Sequence, residues 1–362
     1  MSQRSTPPPE ITVGSMRIYI HILVWNDRRY LPDLFASLDT QTNRNFSVRI
    51  LDNGSTDDSY AYLREHFSQT VVARNVRNLG FAQGHNQLVR FTLEHLPESE
   101  LDDSAILIMN PDMILAPDMI ERLAEALDAD SHVDAVQPKL YRAFGEHPGD
   151  ETLEETVKSD ILDTTGMRVK KGWRMVDRGA GEIDRGQYDA VRDIFCVTGT
   201  CALYRATAIR DVLMNGEFYD GEFNTYREDC DLAWRFRAAG HKSAFIPAAT
   251  AWHYRGMFGA ERQSLWKRII NRKGQRPFFA ALATRNQLFV LLKNLSLVDL
   301  FLSLPRIMCG EGVRVLYGLL FEPKTRKLLL AAFSLVPSML RKRGHVQASR
   351  TEKPRVLRSY VR

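Results

Sequence analysis

The feature that most restricts the fold of this sequence is a regular alternation of apolar and amphipathic segments over residues 17–137. Apolar runs rich in β-branched residues predict strands at 17–24, 47–51, 70–74, 105–109 and 133–137. Helical spacing of apolar residues predicts helices near 30–40, 58–67, 82–95 and 117–128. Strands that alternate with helices pair in parallel, and the helices cover both faces. We therefore expect an α/β fold with a mostly parallel, Rossmann-like sheet flanked by helices.

Three of the predicted strands end in polar clusters. These are Trp-Asn-Asp at residues 25–27, Asp-Asn-Gly-Ser at residues 52–55 and Asn-Pro-Asp at residues 110–112. Ligands of parallel sheets bind at the carboxyl ends of the strands, which lie at one edge. The sequence therefore predicts a single ligand site at which the three clusters meet.

Two of these clusters contain groups suited to a nucleotide and a metal ion. Asp52 and Asn53 can pair with a nucleobase or a ribose, although a strand–turn–helix junction with a capping residue has the same pattern. Asp112 can hold a divalent cation against a diphosphate. An Asn-Pro sequence also favours a simple turn, so the alternatives stay open at this point.

Further along the chain, three acidic residues lie at the start of a predicted helix. Glu228, Asp229 and Asp231 favour a helix N-terminus through the helix dipole, and a carboxylate there can also act as a general base. His253 lies among aromatic residues, which is typical of a packed core histidine. Together with Asp112, however, it would make a workable pair of metal ligands.

A loop and helix start at residues 78–86 contain two glycines and two asparagines. Gly80 and Asn86 are candidate ligand contacts there, because glycine lets the backbone approach a bound molecule. The sequence has no Walker motif or GxGxxG fingerprint. We expect no nucleic-acid partner.

In this order, the motifs resemble family 2 of the glycosyltransferases, whose members have the GT-A fold. The resemblance spans residues 18–255, and the segments that carry it are 24–26, 51–57, 78–82, 109–112, 197–201, 228–232, 240–242 and 247–253. The Asn-Pro-Asp form and the basic helical C-terminal extension are most similar to the rhamnosyltransferase-like branch of bacterial cell-surface polysaccharide assembly. The Gln-x-x-Arg-Trp motif of processive members is missing, so the resemblance implies a non-processive enzyme.

The resemblance implies a role for each matching residue. Asp229 of the Glu-Asp motif, with Glu228 beside it, would take the proton of the acceptor hydroxyl. Asp112 and His253 would hold Mg²⁺ or Mn²⁺, although Asn110 stands where the family usually has another acidic residue. The residues expected to contact the nucleotide are Trp25, Asn26, Asp52, Asn53, Gly80, Asn86 and Asn110.

The expected reaction is an inverting transfer by direct displacement at the anomeric carbon. It needs a base for the incoming hydroxyl and a cation for the departing diphosphate. The expected donor is a dTDP- or UDP-sugar, and the acceptor is a glycan or a lipid-linked glycan. Two alternatives are a non-catalytic nucleotide- or glycan-binding protein on this fold and a nucleotidyltransferase. The latter would need a phosphate loop rich in Gly, Arg and Lys, which residues 18–30 lack.

Charge divides the chain into two parts. Residues 261–362 have a net charge of +16, whereas residues 1–260 have a net charge of −11. We predict a disordered lead at 1–15, a catalytic domain at 16–260, a basic amphipathic helical region at 261–345 and a flexible tail at 346–362. Within the catalytic domain, residues 141–190 have no clear period and are expected to be an insertion near the acceptor site.

The basic region is expected to bind an anionic membrane surface. Apolar stretches beside Lys and Arg are what an interfacial helix needs, and charged residues interrupt each stretch before it is long enough to span a bilayer. The alternative is that these helices pack on the catalytic domain or form a dimer. The N-terminus shows no signal peptide, and the four cysteines lack CxxC spacing. We therefore expect a cytoplasmic protein, peripheral on the inner face of the cytoplasmic membrane.

Overall fold

A computed structural model describes residues 16–67, 70–145, 156–254 and 277–361. The strands of this part of the chain are β1 (Arg17–Val24), β2 (Phe46–Asp52), β3 (Val71–Arg74), β4 (Ser104–Met109), β5 (Met113–Leu115), β6 (Ala135–Gly145), β7 (Thr156–Thr164), β8 (Met167–Lys170), β9 (Arg174–Asp177), β10 (Asp193–Ile194), β11 (Cys201–Arg205) and β12 (Ser243–Tyr254). The helices are α1 (Leu31–Asp39), α2 (Ser59–His66), α3 (Phe81–His95), α4 (Met119–Ala129), α5 (Ala206–Asp211), α6 (Glu228–Ala238), α7 (Pro277–Asn294), α8 (Leu297–Ile307), α9 (Val313–Phe321), α10 (Pro323–Ala332), α11 (Val336–Ala348) and α12 (Pro354–Ser359).

Ten of the described strands form one sheet, in the order β10-β12-β6-β11-β4-β1-β2-β3, with β5 paired to β12 and β7 to β6. Strand β1 is parallel to both β2 and β4, and β2 is parallel to β3. Ile22 of β1 lies opposite Ile50 of β2 and Met109 of β4. The carboxyl ends of these strands therefore share one edge, which confirms the α/β architecture predicted from the alternation of elements.

Beyond β4 the sheet is mixed, because β11 is antiparallel to both β4 and β6. The last strand of the sheet, β12, has twelve residues. A register shift between Ile246 and Thr250 interrupts the two-residue period, so the sequence pattern hides the second half of the strand. That second half carries His253 to a position opposite Met113 of β5.

The described part of the predicted insertion, residues 156–190, is ordered. Strand β7 pairs with β6, and β8 and β9 form a separate two-stranded sheet. In the turn between β8 and β9, Trp173 has a φ of 65° and is buried. Its indole Nε1 donates to Ser303 Oγ at 2.7 Å, so the insertion contacts the C-terminal helices. Residues 146–155 of the insertion lie outside the described part of the chain.

Apolar side chains cover both faces of the sheet. On one face, Ile18 and Ile20 of β1 belong to a cluster that includes Leu34 of α1. On the other face, Ile108 of β4 belongs to a cluster that includes Trp234 of α6. Each large apolar side chain buried in this way contributes roughly 1.5–3 kcal/mol, and the two cores fix the sheet edge in place.

Part of the basic helical region packs on the catalytic domain. Lys293 of α7 is buried, and its Nζ lies 2.7 Å from Asp220 Oδ2 and 2.8 Å from Asp231 Oδ2. Asn294 donates to the other oxygen of Asp231 at 2.8 Å. Helix α7 therefore packs on the preceding domain, which is one of the alternatives to membrane binding given above for this region. The boundary predicted at residue 260 and the lead at 1–15 lie outside the described residues.

The end of the chain is docked as well. Within the tail predicted to be flexible, residues 354–359 form α12, where Leu357 is buried. The Tyr360 hydroxyl donates to Asp193 Oδ2 at 2.7 Å. The sequence pattern predicts a flexible tail because the contacts that dock it are with residues far away in the chain. Among the described helices, none combines the length and the apolar character needed to cross a bilayer.

Candidate active site

The first two polar clusters meet at the sheet edge. Asn26, which follows β1, has a φ of 59°, and its Oδ1 accepts the backbone N–H of Thr56 at 2.8 Å. Its own N–H donates to Ser55 Oγ at 3.0 Å. The loops after β1 and β2 are thereby joined. Trp25 beside them is 39% exposed and so presents an aromatic surface at this edge.

Asp52 and Asn53, expected at the nucleotide, are both buried at the end of β2. Asp52 Oδ2 lies 3.2 Å from Arg74 Nε, and its carboxylate accepts the N–H of Ser55. The Asn53 amide donates to Asn78 Oδ1 at 3.0 Å and accepts from Leu79 N at 3.1 Å. The amide of Asn53 thus holds the loop before α3, and direct contact of Asn53 with a nucleotide stays a prediction.

Gly80 and Asn86 connect α3 to the chain before α6. Gly80 has a φ of 87°, and a Cβ there would lie 2.6 Å from the side chain of Asn224. Asn86 is buried; its Oδ1 accepts from Tyr219 N at 2.8 Å, and its Nδ2 donates to Tyr219 O at 2.7 Å. The structure therefore places Asn86 in a supporting position behind the site, where its predicted nucleotide contact is untested.

The clearest arrangement of polar groups in the site joins Asp112, His253 and Asp163. His253 Nε2 lies 3.2 Å from Asp112 Oδ1, and His253 Nδ1 lies 2.8 Å from Asp163 Oδ2. The pairing of β5 with β12 produces the first contact, and β7 supplies Asp163. A carboxylate on one imidazole nitrogen is the usual means of orienting a histidine that binds metal through the other.

Negative charge accumulates around this histidine. Burial alone would lower the pKa of His253, but its contacts with Asp112 and Asp163 raise it to about 10. Burial raises the pKa of Asp27 to about 7, and the neighbouring Asp112 acts in the same direction. Crowded carboxylates of this kind are stabilised by a cation. A bound cation at this sheet edge would therefore be stabilised by the surrounding carboxylates.

The residues present fit a divalent ion that also binds phosphate. The buried Oδ1 of Asp112 faces His253 Nε2 at 3.2 Å but makes no hydrogen bond of normal geometry with a described residue, so both atoms could instead bind one cation. Within the described ranges, no three acidic, histidine or cysteine side chains are arranged to hold a metal ion on their own. Asp112 and His253 would hence supply two ligands, and phosphate oxygens and water would complete the coordination, as Mg²⁺ commonly requires.

Asp229 lies beside this edge, in the first turn of α6. It is half-buried, and its Oδ1 accepts the N–H of Cys230 at 2.7 Å. A Cβ on Gly199 would lie 3.2 Å from the Cβ of Asp229, so glycine allows this close approach. The next residue, Thr200, accepts the N–H of Asn110 at 2.9 Å. This short path links Asp229 to the Asn-Pro-Asp segment.

The neighbouring carboxylates differ from Asp229 in their surroundings. Asp231 is fully buried, and its Oδ2 lies 3.1 Å from Arg235 Nε as well as next to Lys293. Glu228 is buried too, and burial, followed by repulsion from Asp229, raises its pKa well above the usual range. Burial and repulsion from Asp229 thus favour the uncharged form of Glu228, and Asp231 is paired with cations. Of the three, Asp229 is the one that is half-buried rather than buried.

The loop before α6 has an unusual backbone. Asn224, Tyr226 and Arg227 all have positive φ values, between 65° and 71°. Such conformations are strained for residues other than glycine and persist where surrounding contacts enforce them. Asn286 of α7 supplies such contacts: its Nδ2 lies within 3.0 Å of the carbonyl oxygens of Phe223, Thr225 and Tyr226. No local sequence signal marks Asn286 or Asp163, because both contact residues that are far away in the chain.

Comparison with known families agrees with this geometry. The sequence model for "Glycosyl transferase family 2" matches residues 19–213, just over half of the chain. The matched range contains β1 to β4 and the segments 25–27, 52–55 and 110–112. It ends before α6 and β12, so Asp229 and His253 lie beyond it.

Two curated relatives come from strains of Mycobacterium tuberculosis. Both are described as N-acetylglucosaminyl-diphospho-decaprenol L-rhamnosyltransferase, and each is 25% identical over 234 residues. The alignment covers 62% of this chain and 72% of each relative. The similarity therefore extends over most of the relatives' length.

Solved structures show the same fold. A crystal structure of GalNAc-T7 with UDP, GalNAc and Mn²⁺ has a TM-score of 0.52 at 12% identity, covering 83% of this chain and 55% of that one. A crystal structure of S. aureus TarS has a TM-score of 0.51 at 14% identity, covering 95% and 52%. The chain thus spans about half the length of each. At these identities the likeness concerns the GT-A fold alone.

Proposed function

The chain belongs to glycosyltransferase family 2, and from this premise we propose that it transfers a sugar, specifically rhamnose, from a nucleotide-sugar to a lipid-linked acceptor with inversion. The observation that carries the proposal is the path of contacts from Asp229 through Gly199 and Thr200 to Asn110, two residues before Asp112 of the Asp112–His253–Asp163 group. A proton acceptor and a cation site at one sheet edge are the two requirements of a direct displacement.

Asp229 is the proposed base. It removes the proton from the acceptor hydroxyl while that oxygen attacks the anomeric carbon, and the bond to the nucleoside diphosphate breaks on the opposite face. The product sugar is therefore inverted, and no covalent intermediate forms. The surroundings of the other two carboxylates support this assignment, because burial disfavours the charged form of Glu228 and Asp231 is paired with Lys293.

Asp112 and His253 are the proposed metal ligands, and Asp163 positions the histidine. A bound Mg²⁺ or Mn²⁺ would neutralise charge on the departing diphosphate. Trp25, Asn26 and Asn110 lie at the same edge and are the proposed direct contacts to the nucleotide, with Asp52 beneath them. Asn53, Gly80 and Asn86 hold the loops around these contacts, and their own contact with the nucleotide stays a prediction.

The acceptor is proposed from chemistry and from the relatives. The two mycobacterial proteins are named for transfer to a sugar linked through diphosphate to a polyprenol. We assign this chain an acceptor of the same class, a glycosyl-diphospho-polyprenol, within bacterial cell-surface polysaccharide assembly. A dTDP-sugar is the preferred donor and a UDP-sugar the alternative.

Such an acceptor lies in a membrane, and the C-terminal helices support binding there. While α7 packs on the catalytic domain, α8 and α9 expose large apolar side chains to solvent. Phe301 is 77% exposed, Leu316 57% and Leu320 61%. An exposed apolar surface of this kind marks an interaction site. Nearby Lys and Arg add about 1 kcal/mol each near an anionic surface, so we propose peripheral binding at the inner face of the cytoplasmic membrane.

A donor and acceptor panel tests the function. The purified chain is incubated with labelled dTDP-rhamnose or UDP-sugars, Mn²⁺ and a synthetic N-acetylglucosaminyl-diphospho-prenol. We expect labelled lipid product whose new anomeric centre, determined by NMR, is inverted, and loss of product when excess chelator is added. Release of nucleotide without any glycosylated product would contradict transfer, and a retained anomeric centre would contradict direct displacement.

A further inference from the structure

An apolar cavity of about 250 Å³ lies among the C-terminal helices, apart from the sheet edge. Phe289 of α7, Leu319 of α9 and Leu329 of α10 contribute to its walls, and ten of its eleven lining side chains are apolar. An apolar cavity of roughly 150 Å³ is known to stay dry and bind benzene. The larger cavity here is consequently suited to a hydrocarbon chain.

The cavity continues into the exposed apolar surface. Leu330 and Phe333 line it and are also 60% and 72% exposed, so they form its rim. The adjoining helix α9 exposes Leu316 and Leu320. A chain entering from a bilayer would thus pass from one apolar environment to another.

The opposite wall of the cavity contacts the loop that precedes α6. Arg285 is the one charged side chain in the lining, and its Nη2 donates to the carbonyl oxygens of Glu222 at 2.9 Å and Phe223 at 3.2 Å. The following residue, Asn286, holds Tyr226. The cavity therefore abuts the loop that leads to Asp229, and its one cationic group suits a chain with an anionic head.

We propose that this cavity binds part of the isoprenoid chain of the lipid-linked acceptor. The proposal rests on the function proposed above, because the chain that belongs beside the base is the one that carries the hydroxyl to be glycosylated. Membrane phospholipid is the competing source of an apolar chain, but its head group takes no part in the transfer.

Calorimetric titration with geranylgeranyl monophosphate tests the assignment, with lysophosphatidylglycerol as the straight-chain comparison. Leu319→Trp fills the cavity, and Val315→Phe is a second filling variant in case the first fails to fold. Val313→Trp is the matched control, since Val313 is on the same helix but is 61% exposed and does not line the cavity. Thermal melting verifies that each variant is folded.

We expect the isoprenoid to bind the wild type and Val313→Trp with equal affinity and to bind the filling variants at least tenfold more weakly. The straight-chain lipid should bind the wild type less tightly than the isoprenoid does. Undiminished binding to filled variants, or no binding to the wild type, would overturn the proposal. Equal behaviour of the two lipids would assign the cavity to phospholipid instead. Sugar transfer to a water-soluble acceptor distinguishes failure of the cavity proposal from failure of the proposed function. If Leu319→Trp keeps this activity, the catalytic assignment stands whatever the cavity binds.

Discussion

The side-chain amide of Asn286 lies 2.6 Å from the carbonyl oxygen of Tyr226, joining a C-terminal helix to the loop that presents the proposed base. The same nitrogen approaches the carbonyls of Phe223 and Thr225, so its two N–H groups are shared among three acceptors. These contacts hold a backbone with positive φ at Tyr226 and Arg227. The helical region therefore shapes the loop before the proposed base, in addition to its proposed role at a membrane.

Asn286→Leu should lower kcat by at least about tenfold while leaving the KM for the donor nearly unchanged, because the loop would relax and misplace Asp229. Steady-state kinetics measures both constants. Gln287→Leu is the matched control: it removes the next amide on α7, which is also buried but has no hydrogen bond from its Nε2 to any described residue. An equal loss of kcat in the two variants would indicate a general effect on the helix.

Asp229→Asn should reduce turnover by at least about 100-fold and preserve nucleotide binding, since a positioned base contributes roughly that much. Product formation and nucleotide titration are the measurements. Asp211→Asn removes an exposed carboxylate from α5 and should be close to wild type. Near-wild-type turnover of Asp229→Asn would move the assignment to Glu228 or Asp231.

Asp163→Asn should weaken the apparent affinity for Mn²⁺ by about 10- to 100-fold, because the carboxylate orients His253 through Nδ1. Asp112→Ala should abolish both metal dependence and activity. Nucleoside diphosphate binding titrated against Mn²⁺ gives the affinity, and Asp118→Asn, at an exposed pair with Arg122, serves as control. Full activity of wild-type protein in excess chelator would argue against a metal role for Asp112 and His253.

Lys293→Met should destabilise the protein by about 3–5 kcal/mol, because it leaves Asp220 and Asp231 buried without their shared cation. Burial opposes ionisation of Asp220, but Lys293 and Lys342 lower its pKa to about 2. Because the pKa of Asp220 is lower in the folded state than its unfolded value of 3.8, the ionised carboxylate stabilises the fold at pH values above 3.8. This contribution to stability is lost as the pH falls toward 2. Chemical denaturation of the wild type should therefore give a lower free energy of unfolding at pH 3 than at pH 7.

In Lys293→Met the pKa of Asp220 should rise, so the acid loss of stability should begin at higher pH than in the wild type. Arg122→Met removes an exposed ion pair and should make no measurable difference. Identical acid profiles for wild type and Lys293→Met would show that this buried pair does not set the pH dependence.

The triple variant Phe301→Ser, Leu316→Ser, Leu320→Ser should lose flotation with anionic liposomes, whereas the wild type should float, and less so at high salt. A triple serine control at Val76, Val157 and Ile183 removes exposed apolar residues from the catalytic domain instead. Deletion of the whole helical region is a poorer test, because it would strip Lys293 from its buried partners. The alternative is that these side chains form a dimer interface. A triple variant that still floats, but is monomeric where the wild type is dimeric, would support that alternative.

Prediction from the sequence succeeded where local patterns carry the information. Alternating strands and helices were enough to place Asn26, Asp52 and Asn110 at one sheet edge, because parallel strands end together. Asp163 escaped notice because β7 approaches His253 from 90 residues away in the chain. Asn53 and Asn86 look like ligand contacts in the sequence, yet their amides bind backbone within the chain. Polar residues near a site and polar residues that build it have the same local signature.

The separation in sequence between α6 and α7 has a consequence for biosynthesis. Asn286 and Lys293 stand 60 and 62 residues after the partners they bind, Tyr226 and Asp231. During translation, the loop before Asp229 therefore emerges long before the side chains that fix its conformation. A nascent chain without α7 lacks the contacts that hold this loop, and the helices proposed to bind the membrane follow α7 directly in the sequence. On these assignments, one late stretch of synthesis completes both the loop before the proposed base and the proposed membrane-binding surface.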